Sequence, residues 1–507
     1  MSGSSTGLFF RRFGKYGSAL LCASILASSP GPARAQGDSA GEPTPEKVAS
    51  DLFGKLTPDS KKGEYAEIVA AIKEFKKAKL DETRKLLAAA KAKNPKLPPP
   101  DMMLVRLLLA VNQPQPARAE LEKCVLDNPS DPEAYLFMAD IAVQQREITA
   151  ADLLLHEAER LAAKFDESPE RLKDFKIRIN AGEAAVAEAR EQWPEAQKRL
   201  AAWIAADPTT AAGYQRLGGV LVHMGKFADA YTNLEKATTL DDKMINANAA
   251  LGLMCQQAAA RFNTEKDADQ ATALKKEAAA RMTKAFVEIR NAKSDAKSKD
   301  KTLRALLAIA DFYLVTADLA RAKVVSEAAL ALDPRSVEAK IQRGIVARFE
   351  KDSATAEKYL TEAWQMSPDS FMATNHLAIV LAEDGKNQEK LQRAAEFAVA
   401  NVKQYPKNPE AAATYGWVLY KAGDRLNASK ALEAAASSGS LSADSAYYAA
   451  VILNDIGKKA DAIRLLEAAS KTATPFFHKE AAEKLLSELR PKEDSEKSKD
   501  ASVSPKK

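Results

Sequence analysis

The sequence has few of the residues that most catalytic and metal sites need. Its 507 residues include three cysteines and four histidines, and aromatic residues make up 7%. No histidine belongs to an H-E-x-x-H pair or to a cysteine–histidine cluster with metal spacing. The motifs G-x-x-x-x-G-K-[ST] and G-x-S-x-G are missing, as is a G-x-G-x-x-G that follows a strand. We therefore expect no catalytic residue, no metal, no cofactor and no enzymatic activity.

The sequence also has little excess charge. The formal net charge is +5, and the first 35 residues hold four basic residues and no acidic one. Without that segment the charge is 5 − 4 = +1. Because nucleic-acid binding usually needs a basic face, we expect no nucleic-acid partner.

A long apolar run is missing, but a short one lies near the N-terminus. Basic Arg11 and Arg12 precede the apolar run from Ser18 to Ala27, and an A-x-A pattern ends at Ala35. The run is shorter than the roughly 20 residues that a membrane span needs. We interpret residues 1–35 as a signal peptide cleaved before Gln36, which predicts an exported protein, periplasmic or secreted, without an integral membrane span. The alternative is that the segment stays uncleaved as an anchor.

Two further segments differ in composition from the rest. Residues 36–63 are rich in Gly, Pro, Ser and Lys and are expected to be a tether with a short helix at Glu46–Leu56. Residues 491–507 have almost no apolar residues, which predicts a disordered polar tail. Cys22 lies in the signal peptide, whereas Cys124 and Cys255 lie at helical core positions far apart in the chain, so both are predicted to be buried thiols.

Between these segments, small residues recur at a fixed interval. From Gly218 to Gly252 the interval is 252 − 218 = 34, and it returns from Ala310 to Gly344 and Ala378, and from Ala394 to Ala428 and Ala462. We call this interval the repeat period. A fixed period of this length indicates stacked repeats, each too small to bury its apolar face alone.

Residues 211–244 illustrate one repeat. Tyr214, Leu217, Gly218 and Leu221 follow the i, i+3, i+4, i+7 pattern of one helix face, and Phe227, Ala230, Leu234 and Ala237 mark a second helix after Gly225-Lys226. The small residues allow two helices to approach closely and the large ones fill the space between them. The pattern predicts an antiparallel helix hairpin.

This pattern resembles the tetratricopeptide repeat family, and it returns in residues 303–336, 337–370 and 409–442. The resemblance implies an all-α, right-handed superhelical solenoid over residues 64–490. We divide it into eleven units and a capping helix at Phe477–Arg490; the units are 64–97, 98–131, 132–176, 177–210, 211–244, 245–302, 303–336, 337–370, 371–408, 409–442 and 443–476.

Three units depart from the period. In 132–176 the second helix is expected to continue through Glu159–Phe165, and 371–408 is four residues too long. In 245–302 about 24 extra residues include a predicted charged helix at Asp267–Ala292. Insertions in solenoids usually lie on one face. This insertion is either a longer solvated hairpin or a dedicated partner site.

The resemblance implies a concave groove lined by the first helix of each unit. The corresponding positions are Arg106, Leu136, Asp140, Gln215, His223, Asp311, Asn375, Trp417, Tyr420 and Tyr447. Trp417, Tyr420 and Tyr447 are expected to form an aromatic patch that anchors peptide or helical segments of other proteins. The alternative is that Trp417 or Tyr420 packs against the adjacent repeat.

These expectations combine into a non-catalytic scaffold for protein–protein contacts in the bacterial cell envelope; the bacterial setting is implied by resemblance to exported bacterial repeat proteins. Two alternatives stay open. One is an accessory or regulatory subunit of an envelope enzyme or secretion complex, and the other is a glycan-binding solenoid.

Overall fold

A computed structural model describes residues 44–53, 66–262, 267–292, 298–437, 441–472 and 474–490. The predicted signal peptide, the predicted tail and most of the predicted tether lie outside these residues. Within them there are 24 α-helices and no strand. None of the helices in the described ranges is both long and apolar enough to cross a membrane.

The chain divides into two compact units, and α13 extends across the boundary between them at residues 278 and 279. The helices up to this boundary are α1 (Pro45–Phe53), α2 (Ala66–Lys76), α3 (Leu80–Lys93), α4 (Pro100–Ala110), α5 (Pro114–Asp127), α6 (Pro132–Gln145), α7 (Ile148–Ala162), α8 (Pro169–Ala189), α9 (Trp193–Ala206), α10 (Ala211–His223), α11 (Phe227–Leu240), α12 (Ala247–Ala259) and α13 (Ala268–Asn291). Cys124 and Cys255 are buried in this unit, as predicted.

The second unit continues with eleven helices. They are α14 (Lys299–Val315), α15 (Leu319–Leu332), α16 (Val337–Phe349), α17 (Ser353–Met366), α18 (Phe371–Glu383), α19 (Gln388–Gln404), α20 (Pro409–Lys421), α21 (Arg425–Ser437), α22 (Ala443–Asp455), α23 (Lys459–Ser470) and α24 (Lys479–Leu489). In both units consecutive helices pack as hairpins, such as α10 with α11 and α16 with α17, and each hairpin stacks on the next. The predicted all-α class built from stacked helix hairpins is confirmed.

The small residues of the repeat allow the close approach within each hairpin. A Cβ atom added at Gly218 would lie 2.8 Å from Cγ of Leu234, and one added at Gly344 would lie 2.7 Å from Cγ of Leu360. Both pairs have the same offset in the sequence, since 234 − 218 and 360 − 344 are equal. The equal offset shows that the two hairpins pack in the same register.

The turn between the two helices of a hairpin also repeats. A residue with positive φ occupies it at Ala78 and Asn112, at Glu191 and Gly225, and at Ala317 and Lys351. The two members of each of these pairs are one repeat period apart. The left-handed conformation ends the first helix, and its cost to a residue with a Cβ is about 1–2 kcal/mol.

Among the described residues, two predicted helix ends differ from the structure by two residues or more. Helix α7 ends at Ala162, so the expected continuation through Phe165 is wrong; Lys164 and Phe165 instead form a turn whose amides bond the carbonyls of Leu161 and Ala162. Helix α24 begins at Lys479 because the carboxylate of Asp444 accepts the amide hydrogens of Phe477 and His478.

Candidate functional site

Arg106 and Asp140 were predicted to line a groove, but both are engaged in ion pairs between first helices. Arg106 Nε donates to Glu133 Oε1 at 2.8 Å, and Arg178 Nη2 donates to Asp140 Oδ2 at 2.6 Å. Arg171 Nη2 donates to the other oxygen of Glu133 at 2.9 Å. Burial opposes ionisation of Glu133, but the guanidinium groups of Arg106 and Arg171 outweigh it and lower the pKa of this carboxyl. These charges therefore join α4, α6 and α8, and a partner would have to compete with them. Leu136, also expected in the groove, is instead buried in the core.

Gln215 and His223 lie on α10, and both are half-buried. The ring of His223 stacks on Trp193 with 4.0 Å between centroids. Burial, with the charge of Arg261, lowers the pKa of His223 to about 4. The imidazole is therefore neutral at neutral pH and acts as a flat ring.

Asp311 and Asn375 lie in the second unit. Asp311 Oδ1 accepts from Nε2 of Gln342 at 2.6 Å, and burial raises the pKa of Asp311 to about 6. Asn375, a predicted groove position, is only 7% exposed, so the packing of α18 leaves little of its side chain free to contact a partner.

The structure brings Trp417, Tyr420 and Tyr447 together, as predicted. The Trp417 ring lies 5.6 Å from that of Tyr420 and 6.1 Å from that of Tyr447. Trp417 is however only 4% exposed, because it stacks at 4.5 Å on Tyr448 of α22. The expectation that Trp417 offers its ring to a partner is therefore corrected, since the ring packs against the adjacent repeat. We call Trp417, Tyr420, Tyr447 and Tyr448 the aromatic surface.

Tyr420 and Tyr447 are the half-buried members of the aromatic surface. The hydroxyl of Tyr420 donates to Asp455 Oδ2 at 2.7 Å. Burial and this carboxylate raise the pKa of Tyr420 to about 12. Tyr447 and Asp455 line an open cleft of about 350 Å³ between α22 and α24, whose other wall includes Lys484, Leu485 and Glu488.

The sequence reasoning missed a set of residues next to the aromatic surface. Arg348 at the end of α16 donates through Nη1 to Nδ1 of His376 at 2.9 Å and through Nη2 to Glu383 at 3.2 Å. Burial and the charge of Arg348 lower the pKa of His376 to about 3. His478 lies against the same carboxylate, with Nε2 3.6 Å from Glu383 Oε1. The only signal in the sequence was the Pro475-Phe476-Phe477-His478 run in front of the capping helix.

In the described part of the chain, no three His, Cys, Asp or Glu side chains form a group that could hold a metal ion. The aromatic surface offers flat rings and hydroxyl groups, and Asp455 beside it offers a carboxylate. Such groups recognise apolar and amide-bearing ligands by contact and hydrogen bonding.

A family model for the tetratricopeptide repeat matches residues 414–476, which hold most of α20 and all of α21, α22 and α23. This match supports the predicted resemblance of the chain to the tetratricopeptide repeat family. No curated protein matches the chain.

Several solved structures are similar in fold. A tetratricopeptide repeat protein from Parabacteroides merdae is 13% identical with a TM-score of 0.36, over 62% of this chain and 98% of its own. Yeast Tom70 is 15% identical with a TM-score of 0.35, over 84% of this chain and 95% of its own. YrrB, a tetratricopeptide repeat protein described as having an unusual peptide-binding site, is 20% identical with a TM-score of 0.26, over 37% of this chain and 90% of its own.

Proposed function

We propose that the protein is a non-catalytic scaffold that binds segments of partner proteins, and that it does so in the bacterial cell envelope after export. The export half of the proposal rests on the N-terminal basic, apolar and A-x-A pattern. The binding half rests on the surface formed by the first helices of the second unit.

One observation carries the binding half. The first helices α16, α18, α20 and α22 place aromatic rings and charged groups side by side, and a non-helical stretch of chain, Thr474–His478, already lies against them. Tyr420 and Tyr447 remain partly accessible beside it, next to the open cleft. Half-buried tyrosines next to a cleft are frequent anchors in protein interfaces, because they bury a large area at low entropic cost.

The experiment is affinity capture from crosslinked cell-envelope extracts, with recovered proteins identified by mass spectrometry. The double variant Tyr420→Ala/Tyr447→Ala removes both accessible rings and leaves buried Trp417 in place. Loss of interface anchors costs about 2 kcal/mol or more, which is roughly a 30-fold loss of affinity. We expect at least one partner to be depleted by fivefold or more.

The control is Tyr405→Ala, which removes a half-buried tyrosine whose hydroxyl donates to the carbonyl of Asp369, away from the aromatic surface. Capture should be unchanged with this variant. Equal recovery by the wild type and the double variant would contradict the assignment of the site. Fractionation tests the setting: a product retaining Met1 and found only in the cytoplasm would contradict export.

A further inference from the structure

Phe477 lies against residues of helices far from it in the chain. Its ring stacks on that of Phe349 with 4.1 Å between centroids, and the guanidinium carbon of Arg348 lies 3.7 Å from the ring centroid. His376 approaches the same ring edge-on at 6.1 Å. Phe477 thus lies among side chains of α16 and α18, although the next helix after it is α24.

The main chain at Phe477 and His478 is bound by Asp444 of α22. Asp444 accepts the amide hydrogens of Phe477 at 3.1 Å and of His478 at 3.2 Å, and its Oδ1 lies 2.7 Å from Nδ1 of His478. The His478 ring stacks on Tyr447 at 4.8 Å. Asp444 therefore satisfies the free amides in front of α24, which a helix otherwise leaves unpaired.

Covering the end of the array does not require these contacts. Phe476, the preceding residue, is 7% exposed and packs with Ala482 and Leu486 of α24 in the core that includes Ala450 and Leu466. Phe476 and α24 together bury the last apolar face. Phe477 instead contacts Arg348, Phe349 and His376. Its ring lies among side chains of other helices, as the side chain of a bound ligand does in a receptor site.

We propose that the Phe477 site, formed by Arg348, Phe349, His376 and Asp444, is a docking site for a partner protein. Its ligand is a segment with an aromatic side chain immediately before an amphipathic helix, and the chain's own residues 474–490 occupy the site as an internal competitor. The proposal deepens the proposed function and rests on it. The chemistry of this ligand is inferred from the segment that occupies the site now. Its aromatic ring contacts Phe349 and Arg348, and the amide hydrogens in front of its helix are accepted by Asp444.

The tethered segment competes strongly. A segment joined by a short linker acts at an effective concentration on the order of millimolar. A partner with the same contacts therefore binds poorly until the internal segment is displaced. Aromatic stacking and a cation–π contact are both lost when Phe477 is replaced by alanine, so this change should weaken the hold of the tethered segment on the site and make it easier to displace.

The test uses the full chain and a fluorescent peptide with the sequence of residues 474–490. Binding is measured by anisotropy to the wild type and to Phe477→Ala. We expect the variant to bind the peptide at least tenfold more tightly than the wild type does. A second peptide with alanine in place of Phe477 should bind the variant at least tenfold more weakly than the native peptide.

Phe371→Ala is the matched control, since it removes a ring that contacts Tyr405 at 5.1 Å outside the site; its affinity should equal that of the wild type. Phe477→Leu is a second variant that keeps apolar bulk, and it should give the same order of affinities with a smaller difference. Equal binding to wild type and both Phe477 variants, or no binding to any of them, would overturn the proposal.

The peptide-binding experiment and the envelope-capture experiment can fail independently of each other. If envelope capture recovers no partner while the peptide still discriminates Phe477→Ala from the wild type, the site binds in trans and the scaffold role fails. If partners are recovered while the peptide does not discriminate, the scaffold role stands and the internal competitor is rejected.

Discussion

At the scale of single residues, two carboxylates removed from solvent differ in whether positively charged groups surround them. Glu133 is held among guanidinium groups, whereas Asp311 has the neutral amide of Gln342 as its hydrogen-bond donor and the negative charge of Glu338 nearby. A half-buried carboxylate without a cation beside it costs stability when it ionises. Asp311 is therefore the position where removal of a charge should help the fold.

We predict that Asp311→Asn stabilises the protein at neutral pH and not at acidic pH. Because the folded pKa of Asp311 is raised to about 6 from 3.8, the folded state binds more protons between these values. The stability contributed by protonation is thus complete below about pH 4 and lost as the pH rises through about 6. Since Asp311 is half-buried, we expect a gain of only about 1–2 kcal/mol above pH 7.

Thermal unfolding followed by circular dichroism at pH 4, 5, 6 and 7.5 measures this difference. Asp300→Asn, at an exposed position in the first turn of the same helix, is the control and should show no such pH-dependent gain. A gain from Asp311→Asn that is the same at pH 4 and pH 7.5 would contradict a titration of Asp311.

At the scale of elements, Gly218 and Gly219 are neighbours in α10 with opposite surroundings. A Cβ at Gly218 would lie 2.8 Å from Leu234 Cγ, while a Cβ at Gly219 would have Met254 Sδ as its nearest neighbour at 4.0 Å. Gly218→Ala should therefore destabilise by about 1–3 kcal/mol through overpacking. Gly219→Ala should stabilise by up to about 1 kcal/mol, because alanine favours the helix.

Chemical denaturation of the two variants, which share a helix and a chemical change, measures the difference directly. Gly218→Ala combined with Leu234→Ala should cost less than the sum of the two single changes, since the second change removes the clashing Cγ atom. Equal effects of Gly218→Ala and Gly219→Ala would show that helix propensity, and not contact with α11, governs this position.

The elements were largely predictable from the sequence because the repeat is local. The repeat period predicts where small residues meet large ones, as at Gly218 and Leu234, and it places the turns. The site was not predictable in the same way. Phe477 and Phe349 lie several repeat periods apart, and no pattern within one repeat indicates their contact. Likewise the burial of Trp417 follows from stacking on Tyr448 in the next hairpin.

At the scale of the whole molecule, helices contact mainly their neighbours in sequence and the helices one hairpin away. Stability in such an array is approximately a sum of terms for each repeat and for each interface between neighbours. An end of the array is then less stable than its interior, because the last hairpin has one neighbour fewer. In the second unit α24 supplies that missing cover over α22 and α23 through Ala482 and Leu486.

We predict that a chain ended at Ser470 loses protection locally. Removing α24 exposes the apolar core around Ala446, Ala450 and Leu466, so α22 and α23 should open more often. Amide hydrogen exchange followed by mass spectrometry should show faster exchange in α22 and α23 and unchanged exchange in α17 and α19. A chain ended at Arg490 keeps α24 and is the control, with exchange rates like those of the full chain. Faster exchange that is uniform from α16 to α23 would instead mean that these hairpins unfold as one cooperative unit.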